Sequence, residues 1–167
     1  MDKHRTILVV DDDHDALEAI SQVISRSGIE CFTASSGPEG LTVLRDRQVQ
    51  AVISDHDMPG MDGVDFLKLV ATRYPHVCRI LLTARRDAEP AVRAINGGQV
   101  YRFLNKPCRA ADLLTTLHFA FEASDHEMEV RRLGAQLRRA ELVLNEVHRK
   151  VPGIVEEIEG GQPPLAV

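Results

Sequence analysis

Short, wholly apolar runs, each ending at a polar residue, constrain the fold of this 167-residue chain more than any other feature. Residues 7–10 are Ile-Leu-Val-Val, and the run stops abruptly at Asp11-Asp12-Asp13. A strand that is apolar on both faces needs cover on both faces, which suits the middle of a parallel sheet. The runs at 7–10, 51–54 and 80–82, together with two mixed segments at 29–34 and 100–104, predict five strands.

Helical patterns separate these runs. Leu17, Ile20 and Ile24 lie on one face of a first helix, and Gly28 follows as a C-terminal stop. Residues 36–39 (Ser-Gly-Pro-Glu) have capping-box spacing and open a second helix. Two further helices are predicted, one from about residue 66 and one over about residues 88–96. This alternation predicts an α/β fold, in which right-handed crossovers place helices on both faces of a five-stranded parallel sheet.

The polar residues that end the predicted strands form a pattern of their own. Asp11 and Asp12 end the first strand, Asp55 ends the third, Thr83 ends the fourth, and Lys106 follows the fifth. Ligands of open parallel sheets bind outside the carboxyl ends of the strands, where the strand order reverses. If strands one and three flank that point, we expect the three carboxylates to converge there.

Converging carboxylates need a counter-charge, because like charges disfavour each other's ionisation. Lys106 supplies one positive charge, and a divalent cation supplies the rest. Oxygen-only, acid-rich ligation selects a hard ion, so we predict Mg²⁺ (or Mn²⁺). An ion held by few protein oxygens keeps room for phosphate oxygens, which suits phosphoryl transfer.

These considerations predict a role for each residue of the site. Asp55 is the predicted nucleophile, forming an aspartyl phosphate. Lys106 and the Thr83 hydroxyl are predicted to hold phosphoryl oxygens. The predicted metal ligands are Asp11, Asp12, Asp55 and the backbone carbonyl of Asp57. Taken singly, such residues are more often helix caps or solvated loop charges, and Asp13 is a predicted N-cap. The ordered set at successive strand ends is what points to a site.

Four sequence blocks resemble the signature blocks of the response-regulator receiver domain of two-component signalling. The resemblance covers about residues 5–122 and implies the flavodoxin-like strand order 2-1-3-4-5. It also implies that Asp55 takes a phosphoryl group from a histidine kinase or phosphotransfer protein with Mg²⁺. Enzymatic activity would then be limited to self-catalysed transfer and slow autodephosphorylation. The blocks are Val9-Val10-Asp11-Asp12, the run Ser54-Asp55-His56-Asp57-Met58-Pro59-Gly60-Met61-Asp62-Gly63, Leu82-Thr83-Ala84 and Lys106-Pro107.

The resemblance further implies a switch. Phosphorylation would draw the Thr83 hydroxyl toward the phosphate, and Phe103, three residues before Lys106, would swing inward. Core packing is the alternative role for Phe103. Asp57 and Arg85 occupy positions that tune hydrolysis in the family, and both are charged here.

The pattern changes after Arg109 to a sustained 4-3 apolar repeat, which is typical of a coiled-coil seam. We predict homodimerisation through this helix; the alternative is a helix that folds back on its own domain. The predicted seam contains Val130, Leu133, Leu137, Ala140, Leu144 and Val147. The predicted organisation is a receiver domain at 5–122, a dimerising and signalling helix at 123–152, and a flexible tail or linker at 153–167.

Composition limits the other functions. The net charge is −5, so broad nucleic-acid binding by this segment is not expected. No apolar run reaches the roughly 18–20 residues of a membrane helix. Three widely spaced cysteines suggest reduced thiols rather than a disulfide or zinc framework, and with the acidic start of the chain they predict a cytoplasmic protein.

Two alternative functions remain open from the sequence. Asp55-His56-Asp57 has the D-x-D spacing of a haloacid-dehalogenase-type phosphatase, although that motif usually lies on the first strand and Pro59 departs from it. The other alternative is a phosphorylation-independent dimeric adaptor with vestigial acids. A full set of chemical residues at the strand ends argues against the adaptor.

Overall fold

Five strands form one parallel sheet in the computed structural model, which describes residues 4–84 and 100–150. The strands are β1 (Thr6–Val10), β2 (Glu30–Ala34), β3 (Ala51–Asp55), β4 (Cys78–Ala84) and β5 (Arg102–Lys106). Their order across the sheet is β2-β1-β3-β4-β5, so the prediction of the strand order is confirmed. The described helices are α1 (His14–Arg26), α2 (Gly37–Asp46), α3 (Gly63–Arg73) and α4 (Ala110–Lys150). The helix predicted over 88–96 lies outside the described residues.

Alternate strand residues enter two separate cores, as expected for a sheet covered on both faces. Leu8 and Val10 of β1 pack with residues of α2 and α3, including the fully buried Phe66. Ile7 and Val9 pack on the opposite face with residues of α1 and α4. All five residues of β1 are buried, which explains why the sequence there is apolar without alternation.

Strand ends are where the predictions needed correction. The predicted strand at 100–104 runs instead from Arg102 to Lys106 as β5. Lys106 is therefore the last residue of the strand, whereas the prediction placed it after the strand. β4 likewise extends to Ala84. Asn105 and Lys106 pair with Thr83 and Ala84 through the backbone, and such pairing does not need apolar side chains.

Local signals at helix ends were reliable. Asp13 is the N-cap of α1 and accepts hydrogen bonds from the N–H groups of Asp15 and Ala16, as predicted. Ser36 caps α2. Gly28 follows α1 with φ +79°, a conformation that glycine adopts without steric cost. The Lys106–Pro107 peptide is cis.

Helix α4 has 41 residues, and the boundary between two compact units of the chain, after Glu127, lies within it. In the first unit, the buried face of α4 consists of Leu113, Thr116, Leu117, Ala120, Phe121 and Ser124. In the second unit, the described part of α4 includes exposed apolar side chains, among them Val130, Leu133 and Leu137. No described helix is both long enough and apolar enough to cross a membrane.

The three cysteines are free thiols. Burial raises the pKa of Cys31 to about 11 and, as the largest influence, that of Cys78 to about 12. Neither thiol ionises at neutral pH, so neither is an activated nucleophile.

Gly63, the first residue of α3, allows that helix to approach the end of β3. A Cβ atom at this position would overlap the backbone carbonyl oxygen of Asp55 and lie 3.0 Å from the Ser54 hydroxyl oxygen. The Gly63 N–H also donates to the His56 carbonyl at 2.9 Å. A side chain at Gly63 would therefore displace the backbone that carries Asp55.

We predict that Gly63→Ala lowers the free energy of unfolding by about 3 kcal/mol. The added Cβ would clash with the Asp55 carbonyl, and neither the backbone of β3 nor that of α3 can move freely to relieve the clash. Urea denaturation measures the effect. Gly134→Ala is the control, since a Cβ there meets only the flexible end of Arg138 at 3.5 Å. This control should be neutral or stabilising by up to about 1 kcal/mol. Equal stability of the Gly63→Ala variant and the wild type would show that the close approach is unimportant.

Candidate functional site

An ammonium group joins the ends of strands that are distant in the sequence. Lys106 Nζ lies 2.8 Å from Asp11 Oδ2 and 2.5 Å from Asp55 Oδ1. Lys106 ends β5, Asp55 ends β3, and Asp11 follows β1, so the lysine side chain reaches across the end of β4. The predicted convergence of Asp11, Asp55 and Lys106 is observed in the structure.

The two carboxylates that contact Lys106 are nearly inaccessible to solvent. Asp11 is 1% exposed and Asp55 is 6% exposed. Their remaining oxygens accept backbone hydrogen bonds: Asp11 Oδ1 from the Asp13 N–H at 3.0 Å and Asp55 Oδ2 from the Asp57 N–H at 2.9 Å. Burial with charged and backbone partners fixes both carboxylates in place.

Burial acts to lower the pKa of Lys106, but hydrogen bonds and charge attraction from Asp11 and Asp55 outweigh it, so the net pKa is raised. The lysine therefore stays charged at neutral pH. Its contribution to stability is fully present below the ordinary pKa of lysine. That contribution is lost only as the pH rises through the raised value in the folded protein.

Asp12 forms a cluster of oxygen donors with Asp11 and Asp55. One carboxylate oxygen each from Asp11, Asp12 and Asp55 lies within 4.8 Å of the others. Asp12 is exposed, so it presents its carboxylate on the solvent side of the cluster.

The donor set fits a hard divalent cation. Three carboxylates and one ammonium leave a net formal charge of −2, which a divalent ion neutralises. All the donors are oxygens, and few protein ligands leave positions for water or phosphate, as Mg²⁺ requires. Asp12, together with Asp11 and Asp55, would hold such an ion.

Thr83 and Asp57 lie at the site in different ways from the acids. Thr83 is buried at the end of β4, and its hydroxyl donates to the Ala84 carbonyl at 3.1 Å. The Asp57 N–H donates to Asp55 Oδ2, while the Asp57 side chain is exposed. The predicted metal contact of the Asp57 carbonyl and the predicted phosphate contact of Thr83 stay predictions.

Phe103, the predicted switch aromatic, is half-buried on β5. It packs against the core cluster that contains Leu81, its register partner on β4. This contact fits the core-packing role, and a second position for the ring stays a prediction.

Sequence reasoning gave no role to His56, which the structure places at the edge of the site. Its side chain is largely buried, and its Nε2 lies 4.0 Å from Asp57 Oδ1. The available signal was a histidine between two acids directly after an apolar run. That pattern predicts the position of His56 but not the direction of its ring.

The structure is thus a doubly wound parallel sheet with an acid cluster and a lysine at the carboxyl ends of its strands, where such folds bind their ligands. The model of the response regulator receiver domain family matches residues 7–118. The chain belongs to this family, whose members are the phosphoacceptor domains of two-component signalling. This assignment favours the receiver over the haloacid-dehalogenase-type phosphatase.

The curated relatives match most of this chain but only a part of their own length. The hydrogenase transcriptional regulatory protein HoxA of Cupriavidus necator is 32% identical over 145 residues, which is 87% of this chain and 30% of HoxA. Response regulator protein FleR of Pseudomonas aeruginosa is 40% identical over 108 residues, 65% of this chain and 23% of FleR. The chain thus spans less than a third of these curated relatives.

Solved structures of similar chains give the same fold. The signal receiver domain of an HD domain-containing protein from Pseudomonas fluorescens Pf-5 is 34% identical. The match has a TM-score of 0.72 and covers 77% of this chain and 95% of that chain.

We predict that Mg²⁺ raises the thermal midpoint of the wild type and that Asp12→Asn weakens Mg²⁺ binding on the order of tenfold. The variant lacks one negative charge beside the ion, so the Coulomb attraction that holds the ion is weaker. Calorimetric titration measures the affinity. Asp13→Asn is the matched control, because it removes a neighbouring charge while asparagine still caps α1. An equal loss of affinity in both variants would mean that only general charge matters.

Proposed function

We propose that Asp55 accepts a phosphoryl group from a histidine kinase or phosphotransfer protein. The observation that carries this proposal is the contact of Lys106 with both Asp55 and Asp11. It places a fixed positive charge beside an otherwise buried carboxylate at the ligand-binding edge of the sheet. Membership of the receiver family supports the same reaction.

In the proposed reaction, an Asp55 carboxylate oxygen attacks phosphorus, and the bond from phosphorus to the donor nitrogen breaks. The electron pair of that bond stays with the donor. Lys106 neutralises charge on the phosphoryl oxygens, and the Thr83 hydroxyl rotates from the Ala84 carbonyl to donate to one of them. Mg²⁺, held by Asp11, Asp12, Asp55 and the Asp57 carbonyl, would supply further charge neutralisation.

The proposed switch follows from these contacts. Thr83 exchanges its present backbone acceptor for the phosphoryl group, and Phe103 moves into the space that this exchange opens. A modification that adds charge acts only through an element with two arrangements, and these two side chains are our proposed element.

We also propose that the second half of α4 dimerises. Val130, Leu133, Leu137, Leu144 and Val147 are large apolar residues that are exposed in the described part of the second unit. Together with the exposed Ala140, they repeat at the 4-3 spacing at which two helices bury a common seam. An apolar stripe of this length gains stability when a second copy covers it.

We propose that the chemistry of this chain is limited to the phosphorylation and slow dephosphorylation of Asp55. Free cysteines and a kinase partner favour a cytoplasmic location. The net charge of −5 argues against nucleic-acid binding by this segment, although relatives include proteins named as DNA-binding regulators. We propose that the output signal passes through the second half of α4.

We predict that acetyl phosphate with Mg²⁺ phosphorylates the wild type and that Asp55→Asn abolishes the modification, because an amide is not a nucleophile toward phosphorus. Intact-protein mass spectrometry detects the adduct. Asp62→Asn is the control, since it removes a nearby exposed carboxylate while still capping α3. No adduct on the wild type would favour the dimeric adaptor, and an adduct on Asp55→Asn would exclude Asp55 as the acceptor.

We predict that Leu137→Asn converts the dimer to a monomer at concentrations where the wild type is dimeric, because it places an amide in the seam. Sedimentation equilibrium measures the molecular mass. Leu142→Asn is closely matched, since Leu137 is 66% exposed and Leu142 is 70% exposed, but Leu142 lies outside the predicted seam. Dissociation by both variants, or by Leu142→Asn alone, would contradict the proposed seam.

A further inference from the structure

Arg5, the residue before β1, contacts the part of α4 that ends the first compact unit. Its Nη1 lies 3.1 Å from both carboxylate oxygens of Asp125. Its guanidinium carbon lies 5.0 Å from the centroid of the Phe121 ring, which is within the range of a cation–π contact. The Arg5 carbonyl accepts from the Glu30 N–H at 2.9 Å, so the backbone that carries this side chain is tied to β2. The sheet therefore presents the guanidinium to α4 from a fixed position.

A buried hydrogen bond holds the same turn of α4 to another strand. Ser124 is 2% exposed, and its hydroxyl donates to the His76 carbonyl at 2.9 Å. His76 lies in the turn before β4, and Arg79 of β4 holds that turn by donating to the Val77 carbonyl at 2.6 Å. The helix is thus connected to β4 through Ser124 and to the start of β1 through Arg5.

These contacts come at the end of the packed part of α4. Asp125 is two residues before Glu127, which is the last residue of the first unit. No residue of α4 from Met128 to Lys150 is buried. A helix without a packed face is only marginally stable in water and frays readily. The contacts of Phe121, Ser124 and Asp125 therefore support α4 directly before its exposed half.

The ion pair of Arg5 and Asp125 is shielded from solvent to a useful degree. The two side chains are 26% and 25% exposed, whereas those of the Arg45–Asp46 pair on α2 are 69% and 54% exposed. Partly buried pairs are screened less by salt than exposed pairs, which contribute little to stability. The Arg5 pair is therefore able to hold its turn of helix, and the Arg45 pair provides a matched comparison.

We propose that Arg5 is a positioning residue for dimerisation through α4. By holding Asp125 and Phe121, it keeps the end of the packed helix ordered, so that the seam from Val130 onward starts from a helix that is already formed. Pre-ordered partners lose less conformational entropy when they associate. Arg5 acts through α4 rather than by touching the second copy of the chain. The inference rests on the proposed dimerisation of α4.

Dimer dissociation constants of the full chain test the inference. We expect Arg5→Gln, which removes the ion pair and the ring contact, to raise the dissociation constant roughly tenfold, because each dimer contains two such turns. Asp125→Asn removes the ion pair but leaves the ring contact, so its effect should be smaller. Arg45→Gln is the matched control and should leave the dissociation constant unchanged. Sedimentation equilibrium measures all three variants beside the wild type.

A double variant shows whether Arg5 acts through Asp125. Arg5→Gln combined with Asp125→Asn should dissociate no more readily than Arg5→Gln alone, because the ion pair is already lost in the single variant. Additive effects would overturn the inference. Phosphorylation yields with acetyl phosphate that equal that of the wild type establish that the receiver of each variant is folded.

Hydrogen exchange distinguishes positioning of α4 from a general loss of stability. At concentrations where the chain is monomeric, we expect Arg5→Gln to speed amide exchange severalfold at residues 121–130 and to leave the amides of β1, β3 and β4 unchanged. Faster exchange throughout the sheet would indicate a general structural role and would overturn the inference. Unchanged exchange at residues 121–130 would also overturn it.

The two proposals fail in distinguishable ways. If the wild type is monomeric at every concentration, the proposed dimerisation fails and this inference fails with it. If the wild type is dimeric and Arg5→Gln dimerises equally well or more tightly, only the inference is overturned. A raised dissociation constant in Arg45→Gln equal to that in Arg5→Gln would likewise overturn the inference alone.

Discussion

The contact of one ammonium group with two buried carboxylates underlies the whole site. Asp11 and Asp55 are nearly fully buried, and buried carboxylates need compensation from charged or hydrogen-bonding partners. Lys106 supplies part of that compensation from the far side of β4, where the strand ends in Thr83 and Ala84. The charge that remains is what makes the site attractive to a cation. The position of the Asp55 carboxylate thus depends on its contact with Lys106.

This dependence explains the arrangement of the neighbouring backbone. Asp55 is the last residue of β3, and α3 begins against its backbone carbonyl, where only a residue without a Cβ fits, so Gly63 lets the helix come close. The Asp13 and Asp57 N–H groups occupy the carboxylate oxygens that Lys106 does not contact. Asp12 is the exposed member of the cluster, and we infer that it is the ligand a cation reaches first.

Most of the fold was predictable because the apolar runs and the helix caps are local signals. Asp13, Ser36 and Gly28 act as their positions in the sequence indicate. The strand order came from family resemblance, since periodicity alone does not decide which strands are neighbours. The extent of β5 was misjudged because Asn105 and Lys106 are paired by their backbones, to which a hydropathy pattern is insensitive. The convergence of Asp11, Asp55 and Lys106 followed from strand ends and topology together. The orientation of the His56 ring depends on tertiary contacts with β4 and α3, and no sequence pattern encodes it.

We propose that Asp55 is the reactive carboxylate of a site that Lys106 and a divalent cation share. A crystal structure of the full chain grown with Mg²⁺ and beryllofluoride would test this arrangement. We expect beryllium bonded to an Asp55 carboxylate oxygen, Lys106 in contact with a fluoride, and Mg²⁺ bound by Asp12. Beryllofluoride on another residue, or Mg²⁺ bound away from Asp12 and Asp55, would contradict it.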